Sequence, residues 1–485
     1  MDLQQSQVTA TLGPLNQRPN ILFLMTDQQR WDALGCVSSH MRTPNLDRLA
    51  RRGVRFENCY TTAPQCVPAR ISLATGLYPH TTGVWKNQPV CLSPRCPTWM
   101  RVLREAGYRT SLFGKTHLHE HGGDLREREH LLHAYGLDDV DEIGGPRASA
   151  SLLSHMTARW EALGLWEAYR ADYADRFATK PHVVRPTVLP DEEYADAYVG
   201  RRAREYLADY DRGQPWMCWV SFGGPHEPWD TPASWAKKFD PADMPRPTLR
   251  AGWMSQGDTT LSSLCKHWPD GFDADDVAAM RADYVANVAL IDDQIGRLFD
   301  VLEERGELDD AVIVFTSDHG EHNGDAGLIY KDTFLDGSAR IPMIVSTPDG
   351  ARGAVASTPC ELIDVGPTLC AAAGVEIPHR QFGRSLLPAA SAPDASVRDH
   401  AVSEFDGELM LATQDRKLML DPRGEPHALL DRRDDPAEQC NLLGTVAMDE
   451  LLGASRRFLM STQLHEPREI VARPEDLVRQ AGTTA

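Results

Sequence analysis

The stretch NILFLM, Asn20–Met25, runs without a break into Thr26-Asp27-Gln28. It is short, continuously apolar and ended by polar residues. That pattern predicts a strand buried on both faces, with Asp27 just past its carboxyl end. The reading repeats along the chain. YRTSLFGK (108–115) ends at Lys115, PWMCWVSF (215–222) ends at GGPHEPWD, AVIVFTS (311–317) ends at Asp318-His319, and PMIVS (342–346) is a further buried strand. Between them lie helical signals. Thr43 as N-cap, Pro44 as first residue and Gly53 as stop predict a helix over Pro44–Arg52, and another is expected from Pro97 to Ala106, closed by Gly107. Val277, Met280, Tyr284, Val288, Ile291, Ile295, Leu298 and Leu302 step by three and four, which predicts a long amphipathic helix over Asp273–Glu304. Strands alternating with helices give an α/β fold with a large, mostly parallel sheet flanked by helices. Ligands of such sheets bind beyond the strands' carboxyl ends.

Working outward, residues 120–200 are rich in charge, Trp and Tyr and read as an insertion of helices and loops without a clear strand. The stretch LPAASAPDASVRDH (387–400) is small and Pro-containing and reads as a linker. Beyond it, ELMLATQDRKLML and the following residues predict short antiparallel strands, a turn and a C-terminal helix. The expected division is a main unit over 1–390 and a smaller α+β unit over 391–485.

The 485 residues carry a net charge of −20, with 42% hydrophobic and 25% charged residues. No basic excess exists to neutralise phosphates, so nucleic acid is not an expected partner. A small anion held by a few local cations remains compatible with that charge. The leader MDLQQSQVTATLGPLNQRPN lacks the basic and apolar regions of a signal peptide, and no apolar run reaches transmembrane length; a cytoplasmic protein without membrane contact is expected. The ten cysteines are scattered, without a disulfide framework or zinc spacing, and nine of them read as free thiols.

Taken together, the strand ends hold a chemistry. Asp27, Gln28 and Asp318 supply oxygen ligands and His319 an imidazole, a set suited to a divalent cation such as Ca²⁺ or Mn²⁺. Arg70, Lys115 and Lys331 supply positive charge, and His117 and His226 can move protons near neutral pH. A metal, cationic clamps and a histidine acid suit a tetrahedral oxyanion, as in sulfuryl or phosphoryl transfer. Dipeptides such as GK and PH are common, and each alone is a weak signal. His119 and His121 alternate with His117, are equally consistent with a solvated face, and receive no role. Trp31, Trp85 and Trp229 suit either a pocket wall or the core.

These segments resemble the sulfatase family of the alkaline phosphatase-like superfamily. RPNILFLMTDQQRWDALG resembles its first metal strand and CVPARISLATGLYPHTTGV its C-x-P-x-R signature. FGKTHL resembles its anion-binding segment and GPHEPWDTP its leaving-group histidine loop. FTSDHGEHNGDAGLIYK resembles its second metal strand and following lysine, and LLDRRDDPAEQCNLL its C-terminal stretch. The resemblance implies that Cys66 is converted by a formylglycine-generating enzyme, which reads the proline and arginine, into an aldehyde whose hydrate attacks sulfur. It implies Asp27, Gln28, Asp318, His319 and modified Cys66 as ligands of one divalent metal. It implies Arg70 as the residue steadying the nucleophile, Lys115 and Lys331 as sulfate clamps, His117 as partner of the hydrate, His226 as general acid, and Asn87 as a further substrate contact.

Many members carry Asp-Asp and Asp-Asn where this chain has Asp27-Gln28 and Asp318-His319. That variant also resembles phosphonate monoester hydrolases and choline sulfatase-like members, whereas Lys115-x-His117 is the sulfatase pattern. The expected activity is hydrolysis of sulfate monoesters of the aryl sulfate type, with phosphonate monoester or phosphodiester hydrolysis as the alternative. Asp336 receives no catalytic weight. A homodimer is expected.

Overall fold

The computed structural model describes residues 18–180, 182–464 and 468–473. The polar leader before Arg18 and the residues after Arg473 lie outside it. The strands are β1 (Ile21–Thr26), β2 (Val54–Phe56), β3 (Cys59–Tyr60), β4 (Arg109–Gly114), β5 (Asp139–Glu142), β6 (Trp216–Ser221), β7 (Val312–Ser317), β8 (Met343–Ser346), β9 (Ala354–Ala356), β10 (Cys360–Glu361), β11 (Ala401–Phe405), β12 (Glu408–Ala412), β13 (Arg416–Leu420) and β14 (Pro426–Asp431). The main sheet has eight strands in the order β5-β4-β6-β1-β7-β8-β2-β9. Pairing is parallel from β5 through β7, and β8 runs antiparallel to both of its neighbours.

β1 is buried throughout, as the apolar run predicts, and the pleat divides its side chains. Ile21, Phe23 and Met25 enter one core layer with Trp99 and Trp219, while Leu22 and Leu24 enter the other with Ile291, Ile295 and Leu298. Fully burying one such aliphatic side chain contributes about 1.5–3 kcal/mol, which makes the centre of the sheet its most strongly held part. The helix Ala274–Glu304 covers the second layer. Its Tyr284 hydroxyl donates to the Gln28 carbonyl at 2.8 Å and accepts from the Arg30 amide at 2.9 Å, so the helix holds the loop after β1. β4, β6, β1 and β7 are neighbours and run the same way. The loops bearing Lys115, His226, Asp27 and Asp318 therefore emerge at one edge.

Several expectations need correction. The insertion over 120–200 contains β5, an edge strand of the main sheet. Its sequence Asp139-Val140-Asp141-Glu142 has no apolar run because Arg109 and Arg202 pair with its carboxylates. The stretch read as a linker begins with a helix, Leu387–Ser391, whose Ala389 and Ala390 pack into the first core layer. α1 spans Pro44–Arg52 as expected, but Thr43 makes no capping bond; its hydroxyl accepts from Gly35 N and donates to Asp47. The cap of the helix Trp99–Glu105 is Thr98, which accepts from Arg101 N.

The C-terminal strands form an antiparallel sheet in the order β11-β12-β13-β14, backed by the helix Asp449–Ser461 through Leu411, Leu418 and Phe458. Lys417 of β13 is fully buried, donates to the Phe334 carbonyl at 2.9 Å, and pairs with Asp336 and Glu438. Asp336 thereby acts as a structural anchor. Among the described residues all ten cysteines are free, and no helix is long and apolar enough to cross a membrane.

The loop after β6 carries a pH-sensitive contact with the long helix. Asp283 accepts from Thr231 N (3.1 Å) and Thr231 Oγ1 (3.0 Å). Burial, reinforced by nearby Asp230, pushes the Asp283 carboxyl up to about 8, and burial pushes Asp230 up to about 7. Folded pKa values above the unfolded 3.8 mean that the native state binds extra protons. The contribution is therefore fully present below about pH 4 and lost as pH rises through about 8. Thermal melts should show Asp283→Asn losing less Tm than the natural chain between about pH 5 and pH 8.5; equal losses would contradict this assignment.

Candidate active site

Cys66 opens α2 (Cys66–Thr75), one per cent exposed. Pro68 sits in the first turn, where a missing N–H leaves no helical bond unmade. The Val67 N–H is met by Asn87 Oδ1 at 2.8 Å, so Asn87 caps the segment that carries the cysteine and also lines the cavity. Arg70 lies one turn on from Cys66, on the same helical face. At the far end Gly76, with φ of 68°, closes α2 in the left-handed conformation that glycine adopts without a Cβ penalty.

The fully buried Arg70 guanidinium organises the strand ends. Nε donates to Asp318 Oδ2 at 2.7 Å, and one terminal nitrogen donates to Asp27 Oδ2 at 3.1 Å. The other donates to the Lys115 carbonyl and to Ser221 Oγ. α2, β1, β4, β6 and β7 thus meet on one side chain. Lys115 Nζ also holds Asp27 Oδ2. With both Oδ2 atoms engaged, the Oδ1 atoms turn toward His319 and Cys66. His319 Nε2 lies 3.1 Å from Cys66 Sγ, 3.7 Å from Asp318 Oδ1 and 3.9 Å from Asp27 Oδ1. Its Nδ1 faces the Gly320 carbonyl at 3.0 Å, which holds a proton on that nitrogen and orients the ring with Nε2 pointing inward.

Asp27, Cys66, Asp318 and His319 therefore offer one ligand atom each within 4.8 Å of one another. Two carboxylates with their Oδ2 atoms neutralised and their Oδ1 atoms turned inward, that of Asp318 also accepting from the Gln28 and His319 amides at 3.0 and 2.9 Å, fit a divalent cation beside an oriented imidazole. In the chain alone, burial pulls the His319 imidazole down, but the charges of Asp318 and Cys66 overcome it and raise it to about 9. The same logic acts on Cys66. Burial raises its pKa, and Lys115, Lys331 and His319 more than reverse this, holding it well below the ordinary thiol value.

Across the cavity, Lys331 Nζ lies 3.7 Å from Cys66 Sγ, 2.5 Å from Gln28 Oε1 and 2.9 Å from His226 Nε2. The Gln28 amide nitrogen donates to Glu227 at 2.7 Å and also to Glu321. His226 Nδ1 faces the Glu227 carbonyl at 2.8 Å. The His117 ring is within hydrogen-bonding reach of Cys66, and its buried Nδ1 has no protein partner. Burial, then the Lys115 charge, hold its pKa well down, so it is a neutral imidazole. Backbone strain concentrates here: Gln28, His117, Tyr330 and Asp332 all have φ between 55° and 77°, a region that non-glycine residues seldom occupy. The cavity holds about 290 Å³.

A family model, Sulfatase, matches residues 19–375. The chain belongs to the sulfatase family. By family it is a sulfuric ester hydrolase. It is 31% identical to the uncharacterized sulfatase YidJ of Escherichia coli K12, with 89% of this chain and 84% of that protein covered. It is 28% identical to an arylsulfatase of Clostridium perfringens, over 91% and 94%. Its fold is similar to the crystal structure of a phosphonate monoester hydrolase of Agrobacterium radiobacter, with a TM-score of 0.71, 24% identity, and 92% and 95% of the two chains covered.

The residues expected at the site of this sulfatase are brought together, with Asn87 at its rim. Trp31, Trp85 and Trp229 do not line the cavity. Trp229 stacks behind Tyr330, and Trp31 lies under Arg340. Sequence reasoning missed Glu227, Glu321, Arg147 and Gly145. Glu227 and Glu321 stand beside chosen residues, in HEP and SDHGE, and that adjacency was the available signal. Burial pushes Glu321 up to about 8, reinforced by Glu227; Glu227 is itself drawn down to about 2 because His226, Arg147 and Lys331 outweigh its burial. Arg147 pairs with Glu227 at the mouth. Gly145, with φ of 75°, passes so close to Lys115 that a Cβ would stand 3.1 Å from Lys115 Cδ.

Removing Arg70 leaves two buried carboxylates without their shared partner. In metal-free protein, Arg70→Met should lower the unfolding free energy by about 3–5 kcal/mol, read from denaturant midpoints. A loss below about 1 kcal/mol would mean that the network does not hold the strand ends together.

Proposed function

We propose that this sulfatase hydrolyses small sulfate monoesters of the aryl sulfate type with formylglycine at position 66. The observation that carries this reading is the placing of Cys66 at the start of α2, within 4 Å of Asp27, His319 and Lys331, with Arg70 beneath it. Asp27, Gln28, Asp318, His319 and the modified residue 66 would hold one divalent metal. The carboxylate-rich set suits Ca²⁺ or Mn²⁺, and His319 favours Mn²⁺. When present, the metal supplies Lewis-acid charge and formylglycine a hydrated aldehyde oxygen as the attacking group.

The side chains do the rest. Lys115 and Lys331 present ammonium groups to the sulfate oxygens as charge shifts onto them. His117, neutral and with its ring within reach of residue 66, is suited to take a proton from the group at that position. Lys331 donates to His226 Nε2, so this pair holds a transferable proton at the cavity wall, where the leaving alcohol oxygen would receive it. The Glu227 carbonyl orients the His226 ring for that transfer. A cavity near 290 Å³ favours a compact alcohol. Because Cys66 is buried in the folded chain, a formylglycine-generating enzyme would have to meet it before the fold closes.

The mass of the peptide containing residue 66, from protein made beside such an enzyme, should be that of formylglycine, and Cys66→Ala should lower kcat/KM for an aryl sulfate by about 10³-fold or more. An unmodified thiol with full turnover would overturn the nucleophile. The sulfate ester should give a higher kcat/KM than the matching aryl phosphonate monoester. The opposite order would favour phosphonate monoester or phosphodiester hydrolysis on the same groups.

Metal dependence has a separate readout. Exhaustive chelation, verified by elemental analysis, should abolish turnover, and divalent metal should restore it. Full activity in metal-free enzyme would remove the metal from the reading.

A further inference from the structure

The loop that leaves β4 carries His117, His119 and His121 in alternation, and only the first faces Cys66. The other two turn the opposite way, toward Glu142 at the carboxyl end of β5. All three side chains are almost fully buried, at 0%, 3% and 2% exposure for His119, His121 and Glu142. His119 Nε2 lies 2.8 Å from Glu142 Oε2, and His121 Nε2 lies 3.1 Å from Glu142 Oε1.

The outer ring nitrogens decide how this cluster is read. His119 Nδ1 faces the Glu120 carbonyl at 3.1 Å, and His121 Nδ1 faces the Gly144 carbonyl at 3.4 Å. A carbonyl only accepts, so each Nδ1 carries the ring proton. In neutral rings both Nε2 atoms then bear lone pairs, and both point at a carboxylate that also only accepts. The His117 backbone N–H donates to His121 Nε2 at 3.3 Å, and that bond itself requires a lone pair there. An added proton on His119 would satisfy one contact. A proton on His121 would evict the His117 amide. A single cation would meet both Nε2 lone pairs and the carboxylate where two protons would otherwise be needed; the His117 amide gives up its contact as it would to a proton, and the Thr116 hydroxyl keeps its own bond to Glu142. Backbone carbonyls on the outer nitrogens are the usual way of orienting histidine ligands.

We propose that His119, His121 and Glu142 form a second metal site, for a zinc ion, separate from the cluster around Cys66. Two imidazoles and one carboxylate are a zinc donor set, unlike the carboxylate-rich set at the strand ends. Zinc bonds near 2.0–2.1 Å put tetrahedral ligand atoms about 3.3 Å apart, so the observed 2.8 and 3.1 Å contacts need to open by only a few tenths of an ångström. The ion would tie the Thr116–His121 loop to the end of β5. The His121 ring packs 4.3 Å from the His117 ring, so the ion's role is to position the segment that presents Lys115 and His117. The proposal is independent of which ester is cleaved.

The test uses the full chain, stripped by chelation and re-equilibrated with stoichiometric Zn²⁺. After gel filtration the natural chain should retain one zinc more than His119→Gln/His121→Gln, and zinc should raise the Tm of the natural chain more than that of the variant. Crystals of the natural chain grown with stoichiometric Zn²⁺ should give an anomalous peak at the zinc edge between the three side chains, about 2.0–2.1 Å from both Nε2 atoms. This second measurement decides the matter if the variant does not fold. Equal zinc content in natural chain and folded variant, or no peak at these side chains, overturns the site.

Discussion

The structure depends on one buried cation. Arg70 reaches from the second turn of α2 to Asp27 of the loop after β1 and to Asp318 after β7, and its remaining donors hold the backbone after β4 and a hydroxyl at the end of β6. Four neighbouring strands and one helix start are thus fixed relative to each other by a group that cannot lose its charge at any ordinary pH. Buried ion pairs are a weak source of stability, since desolvation offsets most of their attraction. Their value here is geometric. The same bonds that neutralise Oδ2 of each carboxylate direct Oδ1 of each toward Cys66 and His319.

The fold pays for this arrangement in local backbone strain, and the surrounding packing holds the strained loops in place. Gln28 is pinned by its amide to Asp318, by its carbonyl to Tyr284 and by its side chain to Lys331, Glu227 and Glu321. Lys331 stands between two residues with positive φ. The segment after it is anchored by Asp336, which the C-terminal sheet holds through Lys417. The smaller sheet thus touches the chemistry indirectly, by fixing the chain that delivers Lys331.

Much of this was legible in the sequence because the signals were local. A central parallel strand buried on both faces must read as an unbroken apolar run, and the polar residue that ends it must lie at the sheet edge. That made Asp27, Lys115, His226 and Asp318 visible together. β5 was illegible because an edge strand whose acidic residues are met by arginines from distant segments has no apolar pattern of its own. The helix at Leu387–Ser391 was hidden by small residues that read equally as linker, and only their burial against the first core layer distinguishes them. His119 and His121 look like a solvated face in the sequence because their partner, Glu142, lies more than twenty residues away in the insertion expected to hold helices and loops.

By itself the sequence determined the α/β class and the polar residues that end the central strands. Both follow from periodicity and spacing within a few residues, whereas the role expected of Cys66 came from the resemblance to the family. The tertiary structure alone decided which way those side chains face. It set Arg70 between two carboxylates, turned the Gln28 amide between two glutamates, joined Lys331 to His226, and sent His117 toward Cys66 while His119 and His121 turned to Glu142. Such contacts join residues 21 to 303 positions apart, and no local pattern encodes a partner at that distance.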